Sequence, residues 1–195
     1  MINGGNRNGR LFTIVGPSGS GKDSLLNGLA TRLPELKIVQ RFITRPRDGT
    51  GECHCSMSQS MFDRLARDDA FLFSWRAHGL SYGIPRSCLE DLKAGKDVIF
   101  NGSRHEIDGM LETFPDLSII WVSVSPDILA SRLHQRGREN NDEIRCRLER
   151  DTREQPKGTF VVENNGPIEV ALDKLVAYIG CRHQKSSNRR AAPVL

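Results

Sequence analysis

A glycine-rich segment at residues 16–22, GPSGSGK, constrains the fold of this chain more than any other feature. An apolar, β-branched run from Leu11 to Val15 precedes it, and leucines at helical spacing follow it until Pro34. This order predicts a strand, a glycine loop and a helix, which is the context in which GxxxxGK binds phosphate. Glycines let backbone N–H groups turn towards phosphate oxygens, the helix N-terminus adds partial positive charge, and Lys22 supplies a cation.

The segment therefore predicts a binding site for the phosphates of a nucleoside triphosphate, with Lys22 on the β- and γ-phosphates. The residues predicted to bind the nucleotide here are Gly16, Pro17, Ser18, Gly19, Ser20, Gly21, Lys22, Asp23 and Ser24.

The residue after the lysine departs from the usual pattern, in which a Ser or Thr hydroxyl helps to hold Mg²⁺. This chain has Asp23 there, followed by Ser24. Either Ser24 takes that task, or the Asp23 carboxylate approaches the metal directly or through a water molecule. The third interpretation is that Asp23 only stabilises the first helical turn through the helix dipole.

Strand and helix patterns alternate along most of the chain, which predicts a parallel sheet flanked by helices. The segment at 36–93 interrupts this alternation and is expected to form a second, smaller lobe. The later strands are predicted at 37–43, 98–100, 117–124 and 160–162, and the later helices at 58–69, 87–93, 107–114, 127–135, 143–153 and 168–179.

Length and charge exclude several classes of protein. The 195 residues, 37% of them hydrophobic, suit one domain. The net charge of +4 comes from residues 181–195, which hold four basic residues and no acid. Subtracting those four from 28 leaves 24 basic residues against 24 acidic ones. A neutral body does not predict a nucleic-acid surface, and no apolar run reaches the roughly 18–20 residues that span a bilayer.

The five cysteines indicate the compartment. Their odd number and scattered positions favour a reducing, cytoplasmic setting over a disulfide framework. Cys53, His54 and Cys55 resemble part of a metal site, but zinc needs four ligands and no second pair lies nearby. The N-terminus lacks the apolar stretch of a signal peptide. His54, His105 and His134 are expected at the surface.

A second cluster indicates a phosphate-bearing acceptor. Thr44-Arg45-Pro46-Arg47 is followed by Gly51-Glu52 and later by Tyr82-Gly83. Two arginines beside a proline-stiffened turn form a fork for phosphate oxygens, because guanidinium binds them in a bidentate manner. Tyr82 adds an uncharged hydroxyl donor. Alone, such a segment is more often a solvated loop, whereas beside a phosphate loop it favours a phosphate-bearing acceptor.

Nearly all of residues 10–180 resembles the guanylate kinase family. The motifs that carry the resemblance are GPSGSGK, TRPR…GE, FLFSW…HGLSYG, DVIFNGS, RLHQRGRENNDEIRCRLER and FVVENNG. The resemblance implies a nucleoside-monophosphate-kinase-like α/β domain at 1–180, with its core at 10–36 and 94–180. It also implies an acceptor-binding lobe at about 37–93, a helical lid at about 133–150, and a basic, flexible tail at 181–195.

The departures from this family fall in the part that reads guanine. The family uses a carboxylate, which falls near Phe73 here, and a hydroxyl, which falls on Ile84 and is followed by Pro85. Neither Ile84 nor Pro85 offers a side-chain hydrogen bond, and a buried guanine edge without partners would cost a few kcal/mol. The acidic pair after the middle strand is replaced by Asn101-Gly102-Ser103. The phosphate-binding half of the acceptor site is therefore kept, and the base-reading half is lost.

GKDSLL, RFITRP, AHGLSYGIP and DVIFNGSR resemble a branch of this family that serves bacterial phosphonate catabolism. The resemblance implies that ATP, with Mg²⁺, phosphorylates α-D-ribose 1,5-bisphosphate to 5-phosphoribosyl 1-diphosphate (PRPP) and ADP. It implies small-molecule partners only, with no nucleic acid or membrane. The residues alone predict a P-loop kinase with a non-guanine phosphate acceptor. The alternatives are a related nucleoside monophosphate kinase and a non-catalytic binding module, although such modules usually have a degraded phosphate loop.

Further residues take their roles from the resemblance. Arg132, Arg136 and Arg147 match arginines that the family folds over the transferring phosphoryl group, which implies catalytic roles for Lys22, Arg136 and Arg147 and a nucleotide contact for Arg132. Each lid arginine could instead belong to a solvated helix face. Asn164 is expected either to contact the adenine end of the nucleotide or to brace the phosphate loop.

Two phosphates on one small sugar need more cations than a mononucleotide does. The residues predicted to bind the acceptor are Arg45, Arg47, Tyr82, His78 and Arg104.

Overall fold

The computed structural model describes residues 8–46, 54–136 and 155–185, and it describes the side chains of these ranges except at 136 and 181–185. Arg47, Gly51-Glu52, Arg147, the predicted helix at 143–153 and most of the predicted lid lie outside the described residues. The described part is an α/β fold with two sheets, which confirms the predicted fold class.

The larger sheet is parallel and has the strand order β2-β7-β1-β8-β9. The central strand β1 is buried along its whole length, as expected for a parallel sheet covered on both faces. The numbering follows the chain, and the bounds are β1 Leu11–Val15, β2 Lys37–Val39, β7 Val98–Asn101, β8 Ser118–Ser123 and β9 Phe160–Glu163.

The smaller sheet lies in the predicted second lobe and has the order β4-β3-β6-β5. Its bounds are β3 Phe42–Ile43, β4 Cys55–Ser56, β5 Phe71–Ala77 and β6 Leu80–Pro85. The prediction of one strand over 37–43 is wrong, because Val39 pairs with the larger sheet and Phe42 with the smaller one. The chain passes from one sheet to the other between these two residues.

The helices lie close to their predicted positions. Their bounds are α1 Lys22–Arg32, α2 Gln59–Arg67, α3 Cys88–Lys93, α4 Ile107–Thr113, α5 Pro126–Arg136 and α6 Ile168–Lys185, with a 3₁₀ turn at Arg104–Glu106. Helix α6 continues past 179, so the chain is helical for five residues of the segment predicted as a tail. No helix among the described residues is both long and apolar enough to cross a bilayer.

Two apolar clusters cover the two faces of the larger sheet. Phe12 and Ile14 pack with helices α1 and α6 on one face. Phe100 packs with Phe73 and Ile84 of the smaller sheet on the other, so the two lobes share this core. Trp75 and Trp121 are both buried, and the expected exposure of His105 and His134 is observed. The expectation for His54 is wrong, because it is only 4% exposed.

Candidate active site

The predicted phosphate loop lies at the carboxyl edge of the larger sheet. It joins β1 to α1, while Asn101 ends the neighbouring strand β7 and Asn164 directly follows β9. Open parallel sheets bind their ligands at this edge, because strand ends and helix N-termini converge there. The fold therefore brings polar residues from two distant parts of the chain to the loop.

Two glycines of the loop stand where a side chain would not fit. Gly19 has φ +91°, and a Cβ there would lie 3.0 Å from Leu133 and 3.1 Å from Leu129, both on α5. Gly21 has φ +90°, and its Cβ would lie 2.6 Å from Nδ2 of Asn164. Positive φ already favours glycine, and a larger residue at either position would also have to displace these side chains. Helix α5 and Asn164 therefore pack directly against the loop.

The Asn164 side chain holds the loop by one buried hydrogen bond. Its Nδ2 donates to the carbonyl oxygen of Ser20 at 2.8 Å, and its backbone N–H donates to Ser123 O at 2.9 Å. Asn164 is 3% exposed, and its Oδ1 is buried without a hydrogen-bond partner among the described residues. Of the two roles expected for Asn164, this contact supports the brace.

Lys22 is the first residue of α1, and its Nζ donates to the carbonyl oxygens of Gly16 and Pro17, both at 2.9 Å. Its ammonium group therefore lies against the phosphate loop. The Asp23 carboxylate accepts a hydrogen bond from Asn101 Nδ2 at 2.9 Å. Its role is therefore not limited to stabilising the first turn of α1 through the helix dipole. The neighbouring Ser24 is exposed.

These residues fit Mg²⁺ that arrives with nucleotide phosphates. Mg²⁺ prefers oxygen ligands and is usually held by one or two carboxylates together with substrate phosphates. Asp23 offers a carboxylate, Ser24 a hydroxyl, and Asn101 a buried amide oxygen without a hydrogen-bond partner in the described part of the chain. Within that same part, no three His, Cys, Asp or Glu side chains form a metal-binding group. The protein residues alone therefore do not form a cage around the ion.

Arg45 lies just after β3, in the smaller lobe. Its carbonyl oxygen accepts a hydrogen bond from Ser56 Oγ at 2.6 Å and lies 3.3 Å from Nε2 of the buried His54. The side chain is partly buried, and its Nε is enclosed without a hydrogen-bond partner among the described residues. A partly enclosed guanidinium that keeps an unsatisfied donor is suited to an anionic ligand.

Tyr82 is held by an aromatic stack. Its ring lies nearly parallel to that of Trp75, with centroids 5.4 Å apart, and the Arg41 guanidinium lies 5.3 Å from the Tyr82 ring centre. Sequence reasoning did not single out Arg41. Its contact with Tyr82 depends on the pairing of β3 with β6, which no local sequence pattern shows.

The two extra cations expected near the acceptor occupy different places. His78 is exposed in the turn between β5 and β6, where it has φ 52° beside Gly79. His78 therefore forms part of the turn, and no described contact joins it to the phosphate loop. Arg104 lies in the 3₁₀ turn after β7, with its guanidinium 5.8 Å from the Trp121 ring centre. Arg104 is therefore at the carboxyl edge of the larger sheet, close in sequence to Asn101.

The positions that would read a guanine base are filled by the core. Phe73 pairs with Ile84 across β5 and β6, and the two are 6% and 0% exposed. The Phe73 ring lies 5.5 Å from that of Phe100. Both side chains belong to the apolar cluster shared by the two lobes.

Of the lid arginines, only Arg132 has a described side chain. It lies on α5 next to Leu133, which packs against the phosphate loop, and its Nη1 is buried without a hydrogen bond in the described structure. Arg136 ends α5. Its side chain, like the whole of Arg147, lies outside the described residues.

The fold and its phosphate loop define a class, the P-loop kinases with the guanylate kinase architecture. A guanylate kinase from Anaplasma phagocytophilum superposes with a TM-score of 0.67 at 17% identity, over 92% of this chain and 88% of that one. No protein-family model matches the chain.

Sequence relatives identify the family within this class. The ribose 1,5-bisphosphate phosphokinase PhnN of Pseudomonas fluorescens is 40% identical over 184 residues, covering 90% of this chain and 97% of that protein. The protein of the same name from Agrobacterium fabrum is 43% identical over 83% of this chain and 91% of its own length. The chain belongs to the ribose 1,5-bisphosphate phosphokinase family.

Proposed function

We propose that this protein transfers the γ-phosphoryl group of ATP to the 1-phosphate of α-D-ribose 1,5-bisphosphate. The products are 5-phosphoribosyl 1-diphosphate and ADP. Family membership supports this reaction, and so does a site that combines a complete phosphate loop with an apolar core at the base-reading positions.

The reaction needs no general base. An oxygen of the sugar 1-phosphate, already ionised at neutral pH, attacks the γ-phosphorus, and the bond from that phosphorus to the β–γ bridging oxygen breaks. Catalysis then consists of positioning and charge stabilisation. The loop amides and Lys22 would hold the ATP phosphates, with Arg132, Arg136 and Arg147 closing over them. Mg²⁺, held by Asp23 or Ser24, would neutralise phosphate charge.

The acceptor would be held through its phosphates. Arg45 and Tyr82 lie in the smaller lobe, whose sheet shares its core with the larger one. Arg47, which is outside the described residues, would act with them. Arg104 lies at the edge of the larger sheet and is a candidate for the second phosphate.

The single observation that carries this choice of acceptor is the Phe73–Ile84 pair. Both side chains are buried in the apolar cluster that contains Phe100, so the lobe has apolar core where a base-reading kinase needs hydrogen-bonding groups. An acceptor recognised through phosphates and a small sugar requires no such groups. The same pair disfavours the nucleoside monophosphate kinase alternative, and the complete loop disfavours the binding module.

An ADP-coupled assay over ribose 1,5-bisphosphate, GMP, AMP and UMP tests the reaction, with Arg45→Ala and Arg45→Lys as the informative variants. A hydrogen bond to a charged group contributes about 1.5–3 kcal/mol, so losing one should raise the acceptor KM or lower its kcat/KM by about 10- to 150-fold. Lysine should rescue only in part, because an ammonium lacks the two-pronged geometry. The KM for ATP should change much less.

Arg86→Ala is the matched control, because Arg86 lies in the same lobe and pairs with Asp69. Its acceptor kinetics should stay close to wild type. Turnover of a nucleoside monophosphate comparable to that of the sugar bisphosphate would refute the proposed substrate. An Arg45 effect confined to the ATP KM would mean that this residue contacts ATP and not the acceptor, and would refute its assignment to the acceptor site.

A further inference from the structure

A hydrogen bond joins the end of β7 to the first turn of α1, beside the phosphate loop. Asn101 Nδ2 donates to Asp23 Oδ1 at 2.9 Å, across 78 residues of sequence. Asn101 is 4% exposed and ends a buried strand, whereas Asp23 is partly exposed. A buried amide thus holds a carboxylate that reaches towards solvent.

We propose that Asn101 is a positioning residue that holds the Asp23 carboxylate in place for the metal of the metal–nucleotide complex. The inference rests on the proposed function, because it assumes that the loop binds a nucleotide with its metal. It assigns Asn101 a role in nucleotide binding that acts through Asp23 rather than through contact with the reacting atoms.

The chemical types at the two positions are exchanged relative to the usual arrangement. P-loop enzymes generally place a hydroxyl on the helix after the lysine and a carboxylate on a neighbouring strand. Here the helix carries the carboxylate, Asp23, and the strand carries a neutral amide, Asn101. Two carboxylates at hydrogen-bond distance would repel each other, and one would tend to take up a proton. An amide at 101, unlike a carboxylate, can donate a hydrogen bond to the carboxylate at 23.

The Asn101 side chain has a defined orientation. A carboxylate only accepts hydrogen bonds, so the NH₂ end of the amide must face Asp23. The other end, Oδ1, is buried and has no hydrogen-bond partner among the described residues. The one hydrogen bond that the Asn101 side chain makes in the described structure is therefore the one to Asp23.

The backbone at Asn101 is also held firmly. Asn101 is in register with Ile14 of β1, and the next N–H, of Gly102, donates to Ile14 O at 2.9 Å. A Cβ at Gly102 would lie 2.2 Å from Oγ1 of Thr13, so the chain packs tightly against β1 here. Because the strand end cannot shift easily, Asn101 provides a fixed point for the more exposed Asp23.

The test compares nucleotide binding with and without metal. Isothermal titration with ADP, in excess Mg²⁺ and in EDTA, gives the factor by which metal strengthens binding. Asn101→Ala and Asp23→Asn should each lower this factor by about tenfold, the value of one hydrogen bond to a charged group, while binding in EDTA stays within about twofold of wild type. Asn165→Ala is the matched control, because Asn165 is exposed and lies away from this pair.

The exchanged double variant, Asp23→Asn with Asn101→Asp, completes the test. It keeps one amide and one carboxylate joined by a hydrogen bond, so it should recover part of the metal effect. If Asn101→Ala proves unstable, the double variant and Asp23→Asn alone still provide the comparison that tests the inference.

A double variant that loses at least as much of the metal factor as Asp23→Asn alone would refute the inference, as would Asn101→Ala with an unchanged metal factor. The measurement decides the role of Asn101 whatever the acceptor is, because no phosphoryl transfer occurs in it. Failure of the proposed reaction would appear only in the acceptor assay.

Discussion

Replacing Asn164 by alanine removes the buried hydrogen bond from its Nδ2 to the carbonyl oxygen of Ser20. Both residues are at most 3% exposed, so water does not readily replace the lost donor. An unsatisfied buried carbonyl costs about 1–3 kcal/mol. The lower part of this range, about 1–2 kcal/mol, is expected, because the substitution also removes an Oδ1 atom that is buried without a hydrogen bond in the described structure. At about 2–4 °C per kcal/mol for a protein of this size, Tm should fall by about 2–8 °C.

The same change should weaken nucleotide binding, because Ser20 belongs to the loop whose N–H groups must face the phosphates. Any part of this cost that the free protein avoids by relaxing its loop appears on ATP binding instead of in Tm, and the full amount of about 1–2 kcal/mol there would raise the ATP KM by about 5- to 30-fold. The acceptor KM should change by less than about twofold, since Asn164 lies at the far edge of the larger sheet from the smaller lobe.

Asn165→Ala provides the matched control for this prediction. The neighbouring asparagine is exposed, and its Oδ1 accepts a hydrogen bond from Ser125 N at 2.8 Å. Thermal unfolding and steady-state kinetics with each substrate varied should separate the two variants. Equal effects of both alanines, or an Asn164 variant with normal Tm and normal ATP KM, would show that the loop does not depend on this brace.

Three further outcomes are expected. Lys22→Ala should fold normally and lose about two or more decades in kcat, because a charge aimed at the moving phosphoryl group is lost; near-normal turnover would refute the loop assignment. GMP should be a poor acceptor because Phe73 and Ile84 occupy the base-reading positions, which competition and turnover assays check. Asp97→Ala should lower the free energy of unfolding by about 1.5–3 kcal/mol, since this carboxylate is only 10% exposed and accepts several bonds from one arginine. Asp173→Ala, which breaks the exposed Arg32–Asp173 ion pair, should lower the free energy of unfolding by only about 0–1 kcal/mol. Chemical denaturation of both variants measures the difference.

Local chemistry explains the elements that were predicted correctly. The strand at 11–15, the glycine turn and helix α1 follow from β-branched residues, positive φ at glycines and leucine periodicity, all within about twenty residues. The division of 37–43 between two sheets could not be predicted, because a short extended segment does not reveal its hydrogen-bond partners. The burial of His54 has the same origin, since it depends on the chain returning to pair with β3.

In the candidate site, too, some residues could be predicted from local sequence and others depended on the tertiary structure. Lys22 and the loop could be predicted because phosphate binding uses consecutive backbone N–H groups. Phe73 and Ile84 could be singled out because they replace the hydrogen-bonding residues of the guanylate kinase pattern. His78 was selected for its charge, but its place in an exposed turn depends on how β5 and β6 pair. Arg41 was not selected, because only the fold brings it against the Tyr82 ring.

The sequence by itself was enough to predict a phosphate-binding loop between the first strand and the first helix, since every group needed for that lies within residues 16–24. Only the tertiary structure decided which side chains support that loop. Asn101 reaches Asp23 across 78 residues, and Asn164 reaches Ser20 across 144. These contacts depend on β7, β1, β8 and β9 forming one parallel sheet in that order, because this arrangement brings their carboxyl ends to one edge. Strand order is set by the packing of the whole domain, and no local pattern encodes it.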